Sequence, residues 1–531
     1  MASVKTQPTE STLNDRRFVL LAAFGFALLT LMPYLIGAIL TYGRHYLWLN
    51  FNAQDNCVYL AWIRQAWEGH WTFTNRFTTD SQHSITINLF FWLLGRLSRL
   101  TGLSGLFWLH TARTVAAFAF VPVVYALLRQ LDIETRKARW ALLFVLLSSG
   151  FGWLWWCAWW RPIRLSTPVD MWQPEAITYL SFYLNPIFAV SLLLMVSSFY
   201  ALLRAEKEGS WRWAFGAGLL MLIIGNIHSY DYLHLAAAWG LYLVVRRANR
   251  KVLVQSASAF LIAMPSVAYQ YYLYKTEAVF RLRADVPTLS PHLFYYMMGY
   301  GLLMIGTILL LAWRQRTKTH PFLICWAIAG LAIAYAPVAF QRKMLMGEHI
   351  PLAALFGILL IGFLESRVPK KVAAIAFAIL MLTTFSNIRW VYRDLVRVQV
   401  QSMDVLKEDR TSITSGETEM LAWIDANLPK NAAILAPPSF SLYIPPFAGR
   451  RVYCGHWGET PFYPTKRLIV YGMLAGGIAE ELLANTKTDY IATYKGKPAW
   501  KGIQLDDLSK NTPPWLHLVH SNKKMLLYKV R

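Results

Sequence analysis

Residues 51–80 read FNAQDNCVYLAWIRQAWEGHWTFTNRFTTD. They stand between a long apolar run, 18–40, and a shorter, broken one, 84–100. The stretch is polar, yet Trp62, Trp67 and Trp71 recur along it, and a carboxylate, Asp55, comes early. Tryptophan joins an apolar body to a polar edge and suits the boundary between lipid and water. The segment therefore reads as a loop resting on a membrane, provided the rest of the chain is a membrane protein.

Composition says that it is. The 531 residues are 56% hydrophobic and only 15% charged, where a soluble chain carries roughly a quarter charged. Apolar runs of about 18–25 residues, the length that crosses a bilayer, recur. The 18–40 run follows Arg16 and Arg17. It is too long for a signal-peptide core and lacks a small-residue cleavage site, so it reads as a retained span. The formal net charge of +23 then belongs to cytoplasmic loops and anionic lipid, not to nucleic acid. Cys57, Cys157, Cys325 and Cys454 are scattered and show no metal-ligand spacing. No Walker loop, dinucleotide glycine fingerprint or His-Glu-x-x-His motif occurs.

Basic clusters at 16–17, 129–139, 204–212, 246–251, 314–318 and 367–371 punctuate the apolar runs. Placed in the cytoplasm, they make the spans between them come in pairs. The expected spans are 18–40, 106–128, 140–160, 183–203, 212–227, 232–246, 252–273, 293–313, 321–340, 347–365 and 372–389, about eleven of near-bilayer length. The 84–100 run is short and carries Arg96 and Arg99, so it is expected as an interfacial helix on the outer face. The expected fold is a polytopic α-helical membrane protein of the inner (plasma) membrane, with a cytoplasmic N-terminus.

Its tail reads differently. GETEMLAWIDANLP predicts an amphipathic helix with Leu421, Ile424 and Leu428 on one stripe, and AAILAPP, DYIATY and KKMLLYKV predict short strands. The expected domains are 1–390, membrane-embedded with 41–105 as its first outer segment; 391–410, a linker; and 411–531, an extracytoplasmic α/β domain.

Candidate chemistry gathers on the outer side. Asp55 opens the helical pattern NCVYLAWIRQAWEG and suits either an N-cap or a general base. Tyr59 and Trp62 follow on the same pattern and offer rings to a sugar or an interface. His228 and Asp231 lie at the break between two spans, where ionisable groups are costly unless used, and join Asp55 as catalytic candidates. Glu175 precedes a span. Arg281, Arg283, Arg342 and Lys343 are bases on the outer side, where a phosphate would retain them. In the tail, GRRVYCGHWGET presents His456 and Glu459 at a strand end. No metal-ligand set is evident, and a divalent cation stays open.

This layout resembles the GT-C superfamily of membrane glycosyltransferases. One span is followed by an outer segment with an early acid, an interfacial helix at 84–100, and an outer domain closing the chain. Protein O-mannosyltransferases and aminoarabinose transferases look similar across 18–250, and HSYD, QRKMLMGEHIPLA and GRRVYCGHWGET resemble a bacterial branch. The resemblance implies an inverting enzyme that takes a sugar from a polyprenyl-phosphate donor in the membrane lipid and passes it to a glycan, lipid or protein acceptor. It implies Asp55 as base. Many relatives carry a second acid beside the first, whereas here Gln54 and Asn56 flank Asp55. The rival classes are a transporter or lipid flippase and a non-catalytic envelope assembly protein. Candidate charges at one rim, without inverted repeats, favour the enzyme.

Overall fold

The computed structural model describes residues 10–157, 167–312, 319–400, 404–477, 480–510 and 512–530. Its contacts divide the chain into two compact units. The first comprises Met1–Met32, His110–Gln270 and Pro287–Arg393; the second comprises Pro33–Leu109, Tyr271–Val286 and Asp394–Arg531.

The first unit is helical. Pro186–Glu208 packs on Trp211–Ile227, Tyr230–Arg246 on Pro321–Ile333, and both Thr135–Leu147 and Leu302–Ala312 on His349–Arg367. Residues 349–361 of helix His349–Arg367 are all buried, as expected of a helix segment that is apolar all round. Among the described residues, five helices are long and apolar enough to cross a membrane. Counting each bent pair as one span gives seven, and Trp211–Ile227 and Pro321–Ile333 are shorter apolar helices. The chain is a multi-pass helical membrane protein.

The expected spans are more broken than their hydropathy suggests. The 183–203 run divides at Asn185, whose side chain caps the next helix by accepting from the Ile187 amide, with Pro186 in its first turn. The 293–313 run bends by 89° at Gly301, whose φ of +50° favours glycine. The 321–340 run stops at Ile333, just before the Ala336-Pro337 pair that resists helix. The 372–389 run bends by 41° at Thr384. There the Thr383 and Thr384 hydroxyls donate back to the Leu380 and Met381 carbonyls and loosen the ladder. Helix Phe385–Gln399 then fills half of the expected linker. Of the 140–160 run, Thr135–Leu147 is helical, and residues from 158 lie outside those described.

The second unit is built around a sheet. Its strands are β1 (His45–Tyr46), β2 (Ser412–Ile413), β3 (Ala433–Leu435), β4 (Arg451–Val452), β5 (Tyr490–Tyr494), β6 (Ala499–Trp500), β7 (Ile503–Gln504), β8 (Leu516–Ser521) and β9 (Met525–Val530). The main sheet runs β4–β3–β5–β9–β8, parallel through β4, β3 and β5 and antiparallel through β9 and β8. Helix Ser415–Asn427 lies where GETEMLAWIDANLP predicts it and starts with a Thr414/Glu417 capping box. One apolar core joins Leu47, Leu49, Ala53, Cys57, Val58, Ala61 and Phe77 from the early segment to Ile424, Ile434, Tyr443 and Leu526 from the tail. Strand β1 pairs antiparallel with β2 and ties the same two stretches by backbone.

Candidate active site

Asp55 lies in the first turn of helix Ala53–Glu68, three positions past the cap. The cap position belongs to Asn52, held in the left-handed region at φ 48°. An acid in a first turn faces the positive end of the helix dipole. The Asn52 amide donates to Asp55 Oδ2 at 2.5 Å. His456 Nε2 lies 3.1 Å from Asp55 Oδ1. Asp55 keeps 32% of its side chain exposed, while His456 keeps 4%. The GHWGET turn explains why the imidazole is fixed. Thr460 Oγ1 accepts from the Gly455 and His456 amides at 3.2 and 3.3 Å and donates to the Phe77 carbonyl at 2.7 Å. The Gly458 and Glu459 amides both donate to His456 Nδ1 at 3.0 Å.

The helix carrying Asp55 rests on helix Leu89–Thr101, close to the interfacial helix expected over 84–100. Tyr59 stacks on Phe91 at 4.9 Å, and Trp62 meets Phe91 edge-on at 5.4 Å. Both rings thus pack between helices. Trp62 and Glu459 also line one cleft of about 30 Å³ with Phe73, Asn75, Gln82, His83 and Glu277. The walls of that cleft are tied down: Asn75 Nδ2 donates to the Glu459 carbonyl at 2.7 Å, and His83 Nδ1 lies 2.6 Å from Glu277. The neighbouring tail arginines have structural work instead. Arg450 donates to the Ala448, Asp425 and Leu428 carbonyls at 2.7, 2.9 and 2.7 Å. Arg281 is exposed on helix Ala278–Ala284 in this unit, and the Arg283 side chain lies outside the described residues.

The first unit holds the other candidates. His228 caps the end of Trp211–Ile227, and Asp231 starts the next helix, fully buried. His228 Nδ1 is 3.0 Å from Asp231 Oδ2, which also accepts from the Ser191 hydroxyl. Arg342 and Lys343 sit on the 3₁₀ turn Gln341–Leu345. The Arg342 guanidinium lies 4.8 Å over Trp172, and Lys343 Nζ lies 4.8 Å over the Tyr230 ring and 3.4 Å from its hydroxyl. Arg342 Nε is buried without a hydrogen-bond partner among the described residues. Burial pushes the Glu175 carboxyl above its ordinary value, against the pull of Arg342 and, further down, Lys343 and His228. One cluster therefore gathers Glu175, His228, Arg342 and Lys343 from three separate loops.

Asn52, Ser191, Trp172 and Tyr230 are the participants that sequence reading misses. Tyr230 stood inside the HSYD motif, and Trp172 stood three residues before Glu175. Among the described residues no group of three His, Cys, Asp or Glu side chains could hold a metal ion. Asn56 is one of the two residues that flank Asp55. It is buried, and its amide donates to the Asn52 and Phe51 carbonyls at 3.0 and 3.4 Å.

No protein-family model matches the chain, and no curated protein matches it at a significant level. Solved structures do. Arabinofuranosyltransferase AftD from Mycobacteria superposes with a TM-score of 0.56 over 97% of this chain and 40% of its own, at 12% identity. ArnT from Cupriavidus metallidurans in the apo state superposes at 0.52 over 96% of this chain and 98% of its own, at 13% identity. ArnT bound to undecaprenyl phosphate gives 0.49 over 96% and 98%, again at 13% identity. The chain thus spans less than half the length of AftD and nearly all of apo ArnT. The fold is that of the GT-C membrane glycosyltransferases.

Proposed function

We propose that this chain is a GT-C glycosyltransferase that moves a sugar from a polyprenyl-phosphate donor to an acceptor at the outer membrane face, with inversion. Asp55 takes the proton of an acceptor hydroxyl or amine. The freed electron pair attacks the anomeric carbon, and the bond from that carbon to the carrier phosphate oxygen breaks. The polyprenyl phosphate leaves with the electron pair; within the first unit, Arg342 and Lys343 are the cations proposed to hold a carrier phosphate. The unpartnered Arg342 Nε supports this role. His228 and Asp231 order the Lys343–Tyr230 neighbourhood, since His228 meets Tyr230 edge-on at 5.6 Å. The Trp62–Glu459 cleft, about 30 Å³ with a ring, amides and carboxylates on its walls, has room for a single hydroxyl-sized group of an acceptor.

The observation that carries the reading is the pairing of Asp55 with His456. An acid of the first outer segment is hydrogen-bonded, remains a third exposed and is supplied with a partner from the tail. The GT-C fold over nearly the whole chain supports the same class. The outer placement of both stretches follows from the basic clusters on the opposite loops.

The test is mass spectrometry of the purified protein in lipid, incubated with a panel of undecaprenyl-phosphate sugars and with glycan, lipid and peptide acceptors. A transferred sugar is expected. Asp55→Asn should keep its melting temperature and lose transfer by about 10²–10⁴-fold. An unchanged rate in that variant would remove Asp55 from the mechanism.

A further inference from the structure

We infer that His456 is a positioning residue for Asp55, acting as a neutral imidazole that carries its proton on Nε2. The inference rests on the proposal that Asp55 is the base. It follows from what each nitrogen faces. Backbone N–H groups only donate, and two of them, from Gly458 and Glu459, point at Nδ1. Nδ1 must therefore present its lone pair. In a neutral ring the proton then resides on Nε2, which lies 3.1 Å from Asp55 Oδ1.

Two consequences follow. His456 cannot relay a proton away from Asp55 through Nε2, because that nitrogen is already protonated. It can only donate, and so it fixes the carboxylate. Asn52 does the same at the other oxygen. These two neutral donors, one at each oxygen, set the carboxylate plane. The imidazole itself is locked by burial, by Phe77 at 5.8 Å between ring centroids and by the Thr460 bonds.

Two measurements test this on the full chain in lipid. The first is ¹⁵N magnetic resonance of ring-labelled histidine, with His456→Gln used to assign the signal. A protonated Nε2 and an unprotonated Nδ1 are expected, with the Nε2 signal displaced in Asp55→Asn. A charged ring or an Nδ1-protonated ring overturns the inference. The second is kinetic, on a donor–acceptor pair found by the panel above. His456→Ala should lower kcat by about 10–100-fold with KM little changed. His456→Gln, which keeps a donor amide, should recover most of the loss. The double variant with Asp55→Asn should be no slower than Asp55→Asn alone. An inactive Asp55→Asn beside a His456→Ala of wild-type rate defeats the positioning role and leaves the base intact. A fully active Asp55→Asn defeats the base itself, and the positioning role with it.

Discussion

Glu417 illustrates how single residues hold the tail together. Its carboxylate is fully buried and receives Arg410 Nη1 at 2.9 Å, Arg410 Nη2 at 2.5 Å, the Thr414 amide at 2.8 Å and the Tyr494 hydroxyl at 2.6 Å. Burial alone would raise its pKa, but the Arg410 bonds outweigh that and hold it below the ordinary value of 4.5. A depressed carboxyl contributes stability that is fully present above its unfolded pKa and is lost as pH falls through the folded one. Thermal melts of the full chain should therefore fall with acidification below that ordinary value. Glu417→Gln should flatten this limb and, by leaving Arg410 buried without its counter-ion, cost about 3–5 kcal/mol. An acid limb unchanged in the variant would assign the pH response elsewhere. At this scale the individual groups are visible in the sequence: Asp55, His456, Arg342 and Lys343 are all ionisable residues in unusual places. Their partners are not. Nothing in local spacing tells that the His456 ring faces Asp55 rather than solvent.

At the scale of elements, the contact between helices Ala53–Glu68 and Leu89–Thr101 depends on Gly95. A Cβ there would lie 2.4 Å from the Ala66 Cβ and 2.5 Å from the Ile63 carbonyl oxygen. Backbone meets backbone, so no side chain can yield. Gly95→Leu should cost about 1–3 kcal/mol or more through overpacking. Because the displaced helix carries Asp55, transfer should fall further than the melting temperature implies, and a variant that melts lower yet turns over normally would contradict this. The capped tail helix and strands β3, β5 and β9 were legible because cap chemistry and alternation are local, whereas β8 was not foreseen. The breaks at Asn185, Gly301 and Thr384 were not, since a hydropathy window averages straight across one residue. Hydropathy measures how greasy a run is, and the fate of its backbone hydrogen bonds is a separate matter.

For the whole molecule, the class was legible from composition, and the number of crossings was not. The apolar residues are shared among spans, broken helices and a buried central helix, which look alike by composition. Sidedness can be tested directly. Cys57, Cys325 and Cys454 are buried, so with Cys157 replaced by serine an introduced cysteine reports its own compartment. Lys495→Cys and Arg247→Cys both stand at exposed positions. In intact cells or spheroplasts a membrane-impermeant maleimide should label the first and spare the second until the membrane is opened. The reverse pattern would turn the proposed orientation over.

The pairing of Asp55 with His456 also sets a timetable. The two residues are 401 positions apart, so at roughly 5–20 residues per second His456 leaves the ribosome about 20–80 s after Asp55. Throughout that interval the nascent chain already carries the acid but has no imidazole to aim it. On the proposed positioning role, a chain that has not yet placed His456 should transfer as slowly as His456→Ala, and the full rate should come only once the GHWGET turn has folded onto the acid.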